Sequence, residues 1–231
     1  MNASKKHRVI PRASLGGFPE LNFNRLYAEA LNHSRWGKLE DWGHTYLALS
    51  HSDLKAEDGW IDALVDEMEK FDADVMTTVI PLKDETGATS TGVSILGNMD
   101  GMTRRITMTE AFGLPKTFCI DDIPVAKQLD CPYLAVNEGL CVQRWTEPWV
   151  AEFPGFDCQH SIVRGEDGIF KAHCWSEDWR WARWLATRKL RIYATRKVKV
   201  RHHGNTDFDN TEPWGTWETD LEGGLLGKKE E

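Results

Sequence analysis

Long apolar runs are missing from this chain: no stretch approaches the roughly 18 residues that a membrane-spanning helix requires. The polar start Met1-Asn2-Ala3-Ser4-Lys5-Lys6 also lacks the apolar segment of a signal peptide, so the expectation is a cytoplasmic protein without a transmembrane segment. Cysteine is sparse: Cys119, Cys131, Cys141, Cys158 and Cys174 are odd in number and form no Cys-x-x-Cys pair, which excludes a disulfide framework and a zinc site of the usual spacing. Reduced, mostly buried thiols remain. Basic residues are outnumbered 28 to 36, for a net charge of -8, and this argues against a generic nucleic-acid binder, whose phosphate contacts need a positive surface. A glycine-rich phosphate loop followed by lysine is absent too, since Gly16-Gly17 has no such context.

What is present is enough for one sizeable core: 231 residues, 41% of them hydrophobic. Phe23, Leu26, Tyr27, Ala30 and Leu31 recur at helical spacing. Tyr46-Leu47-Ala48-Leu49-Ser50 is a short apolar run that ends abruptly in His51-Ser52-Asp53, as a buried strand does when its carboxyl end opens into a site. A second helix carries Trp60, Ile61, Leu64, Val65 and Met68 on one face, and Asp74 to Pro81 reads as another buried strand. The alternation predicts an α/β protein with a mostly parallel sheet. From Leu82 to Gly113 periodicity fades into loops with one hairpin. Further on, Tyr133 to Val136 and Leu140 to Val142 are apolar runs around Asn137-Glu138-Gly139, Ser176-Glu177-Asp178 has the form of a helix start, and Arg191 to Thr195 and Val198 to Val200 read as strands. Tryptophan is over-represented at 11, with Trp175, Trp179, Trp181 and Trp184 in one segment suited either to core packing or to stacking on a ligand. Nine Lys or Arg and no acid lie between Trp179 and His203, a basic run that is most simply a solvated face. The expected organisation is one domain over residues 1–204 and an acidic, Gly- and Trp-containing tail over 205–231, disordered at its end.

Three polar points, His51-Ser52-Asp53, Glu177-Asp178 and His202-His203, each adjoin an apolar element. Their order and spacing resemble the family 2-like glycosyltransferases of the GT-A fold, over roughly residues 8 to 204. Val9-Ile10-Pro11 looks like that family's first strand, Asn24-Arg25 like the polar pair of its first helix, Asp58-Gly59-Trp60 like the helix after the Asp-x-Asp motif, and Asn137-Glu138-Gly139 like its acceptor-side Asn-Thr-Gly. The resemblance implies a single Rossmann-like GT-A domain with helices flanking a mostly parallel sheet.

It also implies roles. Pro11, Asn24, Arg25, His51, Asp53 and Arg183 would bind a nucleotide-sugar donor, and Asn137, Glu138, Gly139 and Trp175 the acceptor. Asp53 matches the last acid of the Asp-x-Asp and would ligate a divalent metal with His202 or its neighbour His203. His51 replaces the first acid, and imidazole there favours manganese over magnesium or turns the residue toward the sugar. Asp178 matches the base that deprotonates the acceptor hydroxyl in an inverting transfer, with Glu177 beside it. Lys189 stands where the family has a helix-ending glycine. The acceptor stays open among a glycan, a lipid-linked molecule and a hydroxylated base in viral DNA. Two alternatives accompany this reading: a degenerate nucleotide- or glycan-binding protein of the same fold, and a nucleotidyltransferase.

Overall fold

The computed structural model describes residues 3–33, 45–94, 103–145, 148–165 and 167–215. Helix α1 (Pro19–Asn32) starts on a proline, whose fixed φ and missing N–H suit a first helical position, and buries Phe23 and Tyr27 one turn apart. Strand β1 (Tyr46–Ser50) and the short β2 (Leu54–Ala56) follow, then α2 (Trp60–Lys70) and β3 (Val75–Thr78). The middle of the chain forms β4 (Ala88–Ser94), β5 (Thr103–Thr107), α3 (Met108–Gly113), β6 (Thr117–Phe118), a 3-10 turn at Ile120–Asp122, α4 (Pro124–Gln128) and β7 (Leu134–Ala135). Next come β8 (Leu140–Arg144), α5 (Trp149–Glu152), the hairpin strands β9 (Gln159–Arg164) and β10 (Phe170–Trp175), and α6 (Glu177–Thr187). Strands β11 (Ile192–Thr195), β12 (Val200–His203) and β13 (Asp207–Asp209) complete the set.

The mostly parallel, Rossmann-like GT-A sheet is not what the chain forms. The central five-stranded sheet runs β1-β8-β3-β11-β6, and among the described strands only β3 and β11 pair in parallel. The remaining sheets, β13-β12-β2, β5-β4-β7 and the β9/β10 pair, are antiparallel. The reason is specific. β1, β3 and β11 do run in one direction, as the strand-helix-strand pattern requires, but β8 inserts between β1 and β3 in the opposite sense. A continuously apolar strand such as Leu140-Cys141-Val142 carries no mark of its direction. Val9-Ile10-Pro11 forms no strand at all, and Val9 is exposed.

Side chains alternate across the central sheet into two apolar layers. Met76, Leu140 and Val142 face α2, whose Trp60, Ile61, Leu64, Val65 and Met68 cover them. Val75, Val79, Cys141 and Ala194 face the opposite layer, filled largely by aromatic rings: Phe23, Tyr27, Trp145, Phe156 and Trp181. The tryptophan-rich segment is therefore divided. Trp181 is core, and Trp184 packs on Phe153 and Trp149, while Trp175 and Trp179 lie near the acids of α6.

The first part of the tail belongs to the fold. β13 pairs with β12, and the buried Asn210 side chain donates to the carbonyls of Val79 and Val198 and accepts from the Val200 amide. Residues 216–231, which include the stretch expected to be disordered, lie outside the described residues.

Candidate functional site

Strand directions bring the polar points together. The carboxyl ends of β1 and β3 and the amino end of the antiparallel β8 share one edge of the central sheet. Residues after β1, after β3 and before β8 are therefore neighbours although far apart in sequence. The His51 amide donates to the Gly139 carbonyl at 2.8 Å, joining the His51-Ser52-Asp53 turn to Asn137-Glu138-Gly139. Gly139 is closely surrounded: a Cβ there would lie 3.1 Å from Asn137 Oδ1 and 3.2 Å from Ile80 Cδ1, so these side chains would have to shift by a few tenths of an ångström to admit it.

Asp53 is the centre of the first cluster. β12 pairs with β2, which sets the His203 amide on the Asp53 carbonyl at 2.9 Å and His202 Nε2 3.4 Å from Asp53 Oδ2. His203, on the other face of β12, turns its Nδ1 to Asp207 Oδ1 at 2.6 Å. His202 is thus the histidine of the cluster. Its Nδ1 lies 2.8 Å from the Pro81 carbonyl, which can only accept, so Nδ1 carries the proton and the lone pair of a neutral ring sits on Nε2, aimed at Asp53. Two lone pairs facing each other call for a cation between them or a proton on His202. Lys83 Nζ bonds the same Asp53 oxygen. Partial burial pushes the Asp53 carboxyl up, but the Lys83 hydrogen bond and the charges of His202, Lys83 and His51 hold it below the usual range. Asp53 Oδ1 and His51 Nε2 are buried and meet no hydrogen-bond partner among the described residues, while His51 Nδ1 stands 4.0 Å from that Asp53 oxygen. The His51 ring rests on Phe23 of α1, with centroids 5.0 Å apart.

The second cluster surrounds the start of α6. The Glu138 amide donates to Asp178 Oδ1 at 2.9 Å, a link between residues 40 apart in sequence. Glu138 is fully buried, and burial drives its carboxyl well above the usual range, with Asp178 and Glu177 adding to the shift. Glu177 accepts from Cys158 Sγ at 3.1 Å; burial and this acid together push the thiol up to about 12. Asn137 donates to the Thr78 carbonyl at 3.3 Å, so the Asn137-Glu138-Gly139 triplet is fixed to the end of β3. Trp175, at the end of β10, lies under the guanidinium groups of Arg183 and Arg180, at 5.1 and 5.9 Å from its centroid. Arg105 stacks on Trp179 at 4.5 Å.

Three of the sequence-derived donor residues are placed elsewhere. Asn24 uses both ends of its amide on the Phe156 backbone, at 2.7 Å each, and so anchors the loop after α5. Arg25 projects from the exposed face of α1, and Pro11 lies in an exposed extended segment. The basic run is largely consumed by ion pairs: Arg180 with Asp157, Arg188 with Glu152, Arg191 with Asp72 and Asp74, and Lys197 with Glu67. Lys83 and Arg105 were invisible to sequence reasoning because they stand in the stretch without periodicity. The only hint for Lys83 is that it follows a buried strand, where α/β sites gather.

Among the described residues no set of three or more His, Cys, Asp or Glu side chains is arranged to hold a metal ion. No protein-family model, curated protein or solved structure matches this chain.

Proposed function

We propose that this edge of the sheet transfers a sugar from a nucleotide-sugar donor to an acceptor hydroxyl. The observation that carries the reading is convergence: His202 meets Asp53 and Glu138 meets Asp178 across 149 and 40 residues, and the His51–Gly139 hydrogen bond joins the two clusters. The resemblance needs these residues around one ligand, and nothing in their sequence separation obliges them to meet. The reading concerns the site and does not involve a mostly parallel sheet.

In the reaction, the acceptor oxygen forms a bond to the anomeric carbon while the bond from that carbon to the diphosphate oxygen breaks. The electron pair leaves with the nucleotide diphosphate, and the acceptor proton passes to Asp178. A single in-line displacement of this kind inverts the anomeric configuration. Asp53 and His202 would hold a divalent ion, with His51 alongside, and the ion would neutralise the leaving diphosphate. The unpartnered Asp53 Oδ1 and the lone pair on His202 Nε2 fit such an ion, and two protein ligands suffice where phosphate oxygens and water supply the others. The imidazole ligand favours manganese over magnesium. Lys83 adds a second positive charge beside the same phosphates.

Asp178→Asn is expected to lower transfer by about a thousandfold while nucleotide binding, followed by calorimetry, stays within about twofold. Undiminished transfer by this variant would remove Asp178 as the base. A second reading, nucleotide binding without turnover, draws on the Lys83–Asp53 ion pair, which already neutralises the Asp53 carboxylate without a metal. Nucleotide binding that is indifferent to manganese, with no donor consumed, would favour it.

A further inference from the structure

We propose that Glu138 is a positioning residue that stays a carboxylic acid in the folded protein, donating its proton to Asp178 so that Asp178 is held in the orientation of the base. The inference rests on Asp178 taking the acceptor proton, and it adds a residue to that task. The geometry is restrictive. Glu138 is wholly enclosed, and among the described residues neither of its carboxylate oxygens meets an N–H or O–H donor. A buried carboxylate without donors is untenable, and it escapes by taking up a proton. The Asp178 carboxyl is held beside this residue, its Oδ1 2.9 Å from the Glu138 amide, and being an acceptor itself it can bond the Glu138 carboxyl only with one proton shared.

The Glu138 main chain strengthens the arrangement. Its amide already grips Asp178 Oδ1, so backbone and side chain of one residue would hold the carboxylate at two points. Carboxylate–carboxyl hydrogen bonds are short and charge-assisted, which suits a group that must keep one orientation. The other titratable neighbours favour the same protonation. Glu177, from α6, opposes a charge on Glu138, and Cys141, from β8, is itself pushed up by burial and by Glu138 and Asp178, so it stays a neutral thiol.

The test uses the full chain and its infrared spectrum across pH. The wild-type protein is expected to keep a carboxylic-acid carbonyl band at about pH 7, where ordinary carboxyls are ionised, and Glu138→Gln should lose it. Asp178→Asn should shift that band and lower the pH at which it disappears. A neutral-pH spectrum that Glu138→Gln leaves unchanged would overturn the proposal, and so would a Glu138 band indifferent to Asp178→Asn. These outcomes need no turnover, so they are separable from failure of the glycosyl-transfer reading. Where transfer is measured, Glu138→Gln keeps a donor to Asp178 and should cost no more than about tenfold in kcat, against more than about a hundredfold for Glu138→Leu, with KM for the donor unchanged in both. Equal kcat in the two variants would remove the positioning role.

Discussion

Single residues carry the site through what they leave unsatisfied. Asp53 Oδ1, His51 Nε2 and both oxygens of Glu138 are enclosed without donors, a costly state unless a ligand, an ion or a proton completes it. Asp74 is the opposite case. Asp74, nearly buried, accepts from the backbone N–H, Nε and Nη2 of Arg191 and so ties the start of β3 to the start of β11. Asp74→Ala should therefore destabilise the fold by about 2 kcal/mol, measured by urea denaturation, because charged hydrogen bonds to a nearly buried carboxylate are lost. A change within error would mean that Arg191 finds equivalent partners in Asp72 and water. At this scale much was legible: His51, Asp53, Glu177, Asp178 and His202 are chemically distinctive residues at the ends of apolar elements. The Asn24 amide is used on the Phe156 backbone, a use that sequence does not distinguish from ligand binding.

Elements were legible where burial imposes a period. α1, α2, α6, β1, β3 and β11 all lie where the apolar spacing places them. The β9/β10 hairpin was not legible: Gln159–Arg164 is almost wholly exposed, so no alternation marks it as a strand. The end of α6 shows how an element can depart from a family pattern and still form. Lys189 adopts φ 58 after the helix, the Leu190 amide returns to the Leu185 carbonyl and the Lys189 amide to that of Ala186. That is the Schellman arrangement, in which glycine is the usual left-handed residue. Lys189→Gly should raise stability by about 0.5 to 1 kcal/mol, read as an upward shift in Tm, since the Cβ penalty of the left-handed region exceeds the added freedom of the unfolded chain. No gain in Tm would mean that the lysine stem makes up the difference by packing.

For the whole molecule, opposite pKa shifts set a window of stability. Burial pushes the Asp62 and Glu67 carboxyls up, yet both are held below their usual values, Asp62 by the Ser4 hydroxyl and the amides of Lys5 and Lys6, Glu67 by Lys197 and Thr117. A lowered folded-state pKa gives stability that is present above the ordinary carboxylate range and lost as pH falls through it. Glu138 has the contrary sign: its raised pKa favours folding while it is protonated and withdraws that contribution as pH rises through the folded value. Tm should accordingly fall on both sides of a maximum, and Glu138→Gln should flatten the alkaline side alone. A parallel loss on the acid side would show that Glu138 had been ionised.

The direction of β8 was the architectural fact that pattern could not supply, yet it creates the shared edge where the site lies. The exposed β9/β10 hairpin has a different consequence. A cut in its turn, after Arg164, would leave His51, Asp53 and Glu138 on one fragment and Asp178 and His202 on the other. The His202–Asp53 and Glu138–Asp178 pairings would then join two polypeptides, held together by β2 on β12, β3 and β6 on β11, and β9 on β10. Co-expressed halves should reassemble, which makes this chain a natural candidate for a split reporter whose signal reports that the two halves have met.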